Sequence, residues 1–169
     1  MANDLQVRLA GIEEAGIIAE IIRQAFGPLE NDYTPESFAI VTPPTEEIAL
    51  RFDEGPIWVA LKDGEIVATV SVVPEPEWLY IRSMAVSPSV QGLGVGGKLL
   101  EAVEVYAIEN GFERLFLYTT NFSANAIRLY ERNGFELNRF TTAEEWFGTA
   151  GRAMEKKIGR NIKQNVVGS

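Results

Sequence analysis

The sequence contains no cysteine and no histidine. Without cysteine there is no disulfide framework, no thiolate nucleophile and no iron–sulfur cluster. Without histidine there is no Ser-His-Asp triad and no imidazole base. A zinc site built from Cys or His ligands is excluded as well. Any catalysis falls to carboxylates, tyrosine, serine, lysine, water or backbone groups. No apolar stretch approaches the ~20 residues of a membrane span. The opening residues, Met1-Ala2-Asn3-Asp4-Leu5-Gln6, lack the basic start and apolar run of a signal peptide, so the sequence reads as cytoplasmic. Positive charge is scarce: 15 Lys and Arg against 24 Asp and Glu give a net charge of −9, which does not suit a nucleic-acid binder.

What is present is ordinary globular composition, with 46% hydrophobic and 23% charged residues. The 169 residues read as a single domain, 1–169, which buries roughly 70% of its unfolded surface without a staple. The acidity is uneven. Residues 1–60 carry 11 acidic side chains against Arg8, Arg23 and Arg51, whereas the rest of the chain is nearly balanced. Two readings stay open: a solvated surface that promotes solubility, and steering of a cationic substrate. The basic residues Arg152, Lys156, Lys157, Arg160 and Lys163 read as a solvated tail or an aid to holding an anion.

Gln6–Leu9 is a short strand. Ile17, Ile18, Ile21, Ile22, Ala25 and Phe26 set an amphipathic stripe on a helix over Glu13–Phe26, closed by Gly27-Pro28. Residues 30–44, with Pro35, Pro43 and Pro44, read as irregular. A short helix follows over Thr45–Phe52, capped by Thr45. Ile57–Leu61 and Glu65–Val73 flank the tight-turn pair Asp63-Gly64. Leu79–Val86 is a further strand. A long helix then runs to Asn110 and closes at Gly111. Arg114–Thr120 is a strand, Ser123–Asn133 a helix, and Phe135–Phe140 and Arg152–Ile158 are the last strands. This order predicts an α/β fold: a mixed central sheet of about six to seven strands flanked by about four helices.

Gln91-Gly92-Leu93-Gly94-Val95-Gly96-Gly97-Lys98 is the most informative stretch. Each glycine costs about 0.8–1.0 kcal/mol relative to alanine in a helix, a local penalty that marks function. Glycines let backbone N–H groups approach a phosphate, and a helix start adds partial positive charge. Gly92, Gly94 and Gly97 fit a dinucleotide fingerprint, but Ser87-Pro88-Ser89-Val90-Gln91 separates them from the strand and no acidic residue ends the next one. Gly92, Gly97 and Lys98 fit part of a phosphate-loop pattern, but Leu99 stands where the metal-binding hydroxyl belongs. A purely structural glycine turn is a further reading. The remaining pattern is Gln91-x-x-Gly94-x-Gly96, after a strand ending Met84-Ala85-Val86. With Ile81 to Pro88 before it and Ala126-Ile127-Arg128-Leu129-Tyr130-Glu131-Arg132-Asn133-Gly134-Phe135 after it, the sequence resembles the GNAT-type N-acetyltransferases over about residues 57–158.

The resemblance implies a GNAT-like fold and transfer of acetyl from acetyl-CoA to a primary amine, a cationic small molecule or peptide amine, by direct attack and without a metal. Met84, Ala85 and Val86 would pair with pantetheine and place a backbone N–H at the oxyanion. Gln91, Gly92, Leu93, Gly94, Val95, Gly96, Gly97 and Lys98 would hold the pyrophosphate. Tyr130 would protonate the departing thiolate. Relatives often carry Asn seven residues before this tyrosine; here Ser123 stands there, near Asn125, and either is a cofactor contact. The base position at the strand start is Tyr80, with Glu77 nearby, and water is the third option. Phe26, Tyr33, Trp58, Trp78, Phe140, Trp146 and Phe147 are candidates for the acceptor wall, each equally readable as core. A homodimer is compatible with the resemblance, and a non-catalytic acyl-CoA-binding sensor of the same fold is the alternative function.

Overall fold

A computed structural model of the chain describes residues 4–159. Seven strands form one sheet: β1 (Leu5–Leu9), β2 (Ile57–Lys62), β3 (Glu65–Pro74), β4 (Leu79–Val86), β5 (Arg114–Thr120), β6 (Glu136–Thr141) and β7 (Gly151–Lys157). Their spatial order is β1-β2-β3-β4-β5-β7-β6. Among the described residues only the central pair, β4 with β5, is parallel. The helices are α1 (Ala15–Phe26), α2 (Pro35–Val41), α3 (Thr45–Arg51), α4 (Val95–Glu109) and α5 (Ala124–Arg132). The mixed α/β sheet expected from the sequence is present, with five helices rather than four.

The extra helix is α2, in the stretch expected to be irregular. Pro35 does not break it, because it sits in the first turn, where a missing N–H costs nothing. Thr34 caps it: its side chain accepts from Ser37 N–H while the Ser37 hydroxyl accepts from Thr34 N–H. Two boundaries also differ. Gly27-Pro28 does not end α1 abruptly but leads into a 3-10 segment over Gly27–Asp32. The cap of α3 is Pro44, and Thr45 is its first helical residue. Of the basic stretch, Arg152 and Lys156 belong to strand β7, while Arg160 and Lys163 lie outside the described residues.

Both faces of the sheet are covered, which explains the unbroken apolar run in β2. Ile57, Val59 and Leu61 face one way, into a cluster with Ile18, Ile22 and Ile48 of α1 and α3. Trp58 and Ala60 face the other way, into a larger cluster with Leu99 and Val103 of α4 and Tyr130 of α5. The predicted stripe of α4 is buried at Leu99, Leu100, Val103 and Ala107. Hence α1 and α3 hold one layer and α4 and α5 the other.

Candidate active site

The site begins with one extra residue in β4. Ser71 of β3 pairs with Arg82 and Thr69 pairs with Ala85, so Val70 alone stands opposite Ser83 and Met84. This bulge reverses the alternation of the strand. Leu79 and Ile81 face the α4 layer; after the bulge Met84 does so, and Ala85 turns to the α1 layer. Ser83 takes the strain, with φ at 56°, a left-handed conformation uncommon for a non-glycine residue. Beyond the bulge β4 leaves β5. Their pairing covers only Leu79–Ile81 with Leu115–Leu117, while β5 stays bonded to β7 as far as Thr120.

A cavity of about 290 Å³ lies in this gap. Met84, Ser123, Ala126 and Tyr130 line it from the α5 layer, and Phe26, Ile40, Arg51 and Tyr80 from the opposite layer. It therefore connects the two faces of the sheet at the point where β4 and β5 part. Tyr130 is 5% exposed and packs on Phe135, with ring centroids 5.7 Å apart. Burial pushes its hydroxyl well above the usual phenol range, so it stays protonated at neutral pH. Tyr80 packs edge-on against Tyr118 at 5.9 Å, and burial raises its hydroxyl too. A tyrosine held protonated in this way is a hydrogen-bond donor rather than a base.

The other expected base, Glu77, is exposed in the β3–β4 connection and does not line the cavity. Ser123 and Asn125 part company. Ser123 is buried in the cavity wall, its hydroxyl engaged with Thr120 and with Tyr33. Asn125 is exposed on α5, where it accepts from Arg128. Of the aromatic candidates, Phe26, Tyr33 and Trp146 line the cavity. Trp58 is core against Tyr106, and Trp78 stacks on Phe116 under Arg114. Phe140 and Phe147 are exposed.

The glycine segment lies beside the cavity rather than in its wall. Gln91, Gly92, Leu93, Gly94 and Lys98 are exposed, and Val95 and Gly96 are buried. Gly92 and Gly94 have φ of 85° and 80°, and a Cβ on either would meet open space. Glycine is needed there for the backbone, not for want of room. Gly94 is the N-cap of α4, and the first helical bond runs from Lys98 N–H to Gly94 C=O. The N–H groups of Val95, Gly96 and Gly97 precede that bond and belong to the unsatisfied first turn. Gly96 differs from Gly97: its Cβ would stand 2.8 Å from Leu129 Cδ2, so α4 rests on α5 next to Tyr130. Ala85 and Val86 continue β4 toward this loop without lining the cavity. The free backbone edge of β4, the open glycine turn and the buried Tyr130 suit an extended thioester carrying a pyrophosphate, so these residues fit acetyl-CoA.

Sequence reasoning missed the charged lining. Among the described residues Arg51 and Arg82 are the charged residues of the cavity wall, and no carboxylate lines it. The acidic residues of 1–60 are absent from the cavity lining among the described residues. Sequence reasoning also missed a clip in the cavity wall, at Ser37 and Thr149. The Ser37 and Thr149 hydroxyls share a buried hydrogen bond of 2.6 Å, and the Thr34 hydroxyl donates to Phe147 C=O at 2.6 Å. These bonds tie α2 to the loop before β7, which carries Trp146. Sequence separations of more than 100 residues left no local signal for them.

Among the described residues no helix is long and apolar enough to cross a membrane, and no group of three or more carboxylates is placed to hold a metal. The sequence profile of the acetyltransferase (GNAT) family matches residues 18–135. An uncharacterized N-acetyltransferase of Escherichia coli K12, YjgM, is 29% identical over 137 residues, covering 77% of this chain and 81% of that protein. The PaiA N-acetyltransferase of Thermoplasma acidophilum, solved in complex with coenzyme A, shares the fold with a TM-score of 0.78 at 17% identity, covering 92% of this chain and 99% of that one. A GNAT family acetyltransferase of Elizabethkingia anophelis with acetyl-CoA bound gives a TM-score of 0.71 at 18% identity over 92% and 99% of the two chains. The chain therefore belongs to the GNAT family of acetyltransferases, acetyl-CoA-dependent enzymes that act on amines.

Proposed function

We propose that the protein transfers an acetyl group from acetyl-CoA directly to a primary amine, in a small molecule or at the end of a peptide. The observation that carries this reading is the parting of β4 and β5 after Ile81 and Leu117, with Tyr130 buried at the gap. The free edge of β4 over Met84 to Val86 hydrogen-bonds the pantetheine arm as an added strand would. A backbone N–H of that edge donates to the carbonyl oxygen as negative charge develops on it. The residues of the turn, Gln91 to Gly97, direct N–H groups at the pyrophosphate, with Lys98 adding a positive charge.

The amine enters from the α1–α3 face, attacks the carbonyl carbon and forms the C–N bond, and the C–S bond breaks. Tyr130, held protonated, donates to the departing sulfur. The attacking nitrogen gives up its proton to water, which returns one to Tyr130, because among the described residues no carboxylate lines the cavity and burial raises the Tyr80 hydroxyl above the usual phenol range. Tyr80 orients that water. Direct attack needs no covalent acyl-enzyme and hence no cysteine.

The same lack of a carboxylate base favours a second reading, an acyl-CoA sensor without turnover. Release of CoA thiol from acetyl-CoA in the presence of an amine panel separates the two. The transferase reading predicts amine-dependent release that Tyr130→Phe abolishes, and a sensor gives no release with any amine.

A further inference from the structure

The end of the cavity away from Tyr130 is cationic. Arg51, the last residue of α3, is half-buried and lines the cavity beside Arg82 of β4. Its guanidinium donates to the Ser83 hydroxyl at 2.7 Å and, among the described residues, makes no ion pair. Glu47 and Glu54 lie within electrostatic range, but neither lines the cavity, and Glu54 is half-exposed and already paired with Arg82. Burial and the neighbouring Arg82 both work against the Arg51 charge. A half-buried cation without a counter-ion is costly to keep unless something supplies the negative charge.

Two further observations point to a ligand. Arg82 Nε is buried and, among the described residues, has no hydrogen-bond partner, a donor left unsatisfied. Ser83, the residue that holds Arg51, sits in the left-handed conformation of the bulge. Strain of this kind persists where the surroundings impose it, commonly at ligand-binding positions. Here the residue of the bulge offers its hydroxyl to the guanidinium beside the gap.

We infer that this end of the cavity takes an acceptor bearing a carboxylate as well as an amine, with the carboxylate held by Arg51 and flanked by Arg82. The planar fork of a guanidinium matches the two oxygens of a carboxylate. The surrounding wall is apolar and aromatic, with Phe26, Ile40, Tyr80 and Trp146. A free amino acid with an apolar side chain meets all these demands, whereas a polyamine offers the amine but only adds positive charge beside Arg51 and Arg82. The inference rests on the acetyltransferase reading of the same cavity.

The test measures acetyl-CoA turnover by the full chain with matched acceptors: L-phenylalanine against phenethylamine, L-methionine against 3-(methylthio)propylamine, and spermidine. In parallel, N-acetyl-L-phenylalanine and N-acetylphenethylamine are titrated calorimetrically into the CoA-saturated protein. The carboxylate-bearing member of each pair is expected to be favoured about tenfold to hundredfold, the worth of hydrogen bonds to a charged group. In Arg51→Met the ratio should fall toward one, with the loss in KM rather than kcat. Should that variant fail to fold, Arg51→Gln replaces it, and the wild-type ratio decides alone. Equal use of both members, or preference for spermidine, overturns the inference while acetyl transfer stands. If no acceptor is turned over but N-acetyl-L-phenylalanine still binds at least tenfold tighter in an Arg51-dependent way, transfer falls and carboxylate recognition stands. Absence of both turnover and binding preference sinks the two together.

Discussion

Gly96 and Leu129 meet so closely that a Cβ on Gly96 would stand 2.8 Å from Leu129 Cδ2. This contact joins the glycine turn of α4 to the helix that carries Tyr130. It also divides two adjacent glycines by role. Gly97 faces Asn133 at 3.8 Å, an ordinary distance for a Cβ. Gly97→Ala should therefore gain up to about 1 kcal/mol from helix propensity. Gly96→Ala gains the same propensity but must displace Leu129, at about 1–3 kcal/mol for an overpacked contact. Urea unfolding should place Gly96→Ala below Gly97→Ala; equal stability would show that α5 yields freely.

Gly92 and Gly94 are constrained by the backbone instead. Both have positive φ with open space where a side chain would go. Alanine at Gly94 should cost about 1–2 kcal/mol from the left-handed conformation. It should also weaken CoA binding measured by calorimetry, because relaxing the turn rotates the N–H groups that follow. Unchanged CoA affinity in Gly94→Ala would remove the turn from the phosphate site.

The clip between Ser37 and Thr149 predicts a different kinetic signature. Thr149→Val keeps the shape but removes a buried hydroxyl that bonds Ser37 and accepts from Thr34 N–H. The expected cost is about 1–3 kcal/mol. Because the clip holds α2 and the Trp146 loop at the acceptor end, KM for the amine should rise while CoA affinity holds. Loss of CoA affinity with unchanged amine KM would place the clip elsewhere in the mechanism.

Acid stability should report on two carboxylates. The hydrogen bond from Arg8, reinforced by Gly11 N–H, holds Glu14 at about 2. Arg139, with Thr142, likewise holds Glu145 at about 2. Each folded value lies below the ordinary 4.5, so each contribution is complete above pH 4.5 and is lost as pH falls toward 2. Thermal melts between pH 6 and 2 should show Glu14→Gln with a shallower acid decline than wild type. Both pairs are substantially exposed, so the difference should shrink in high salt.

The parts of the fold that were legible in the sequence are those in which one contiguous stretch carries the physics. The apolar run of β2, the stripe of α4 and the turn from Gln91 to Gly97 are local. Helix α2 was hidden because Pro35 reads as a breaker, although at the first helical position it is a starter. The bulge at Ser83 was hidden for a different reason: Leu79–Val86 is apolar enough on both faces to mask the one-residue change of parity. Arg51 lies 32 residues from the serine that holds it, and only the parting of the strands brings it to the cavity. The acidity of residues 1–60 left a solvated surface and steering of a cationic acceptor both open, because net charge over a segment does not reveal which charges face a site.

The central claim is that Tyr130 donates to the leaving sulfur in a transferase. It is tested most directly by comparing Tyr130→Phe with wild type in CoA release from acetyl-CoA at saturating amine, alongside CoA affinity by calorimetry. The account predicts a loss of kcat of about a hundredfold or more with CoA affinity retained. It also predicts a wild-type kcat without an alkaline decline up to about pH 10, since burial keeps this hydroxyl protonated. A Tyr130→Phe protein that turns over at the wild-type rate would contradict it.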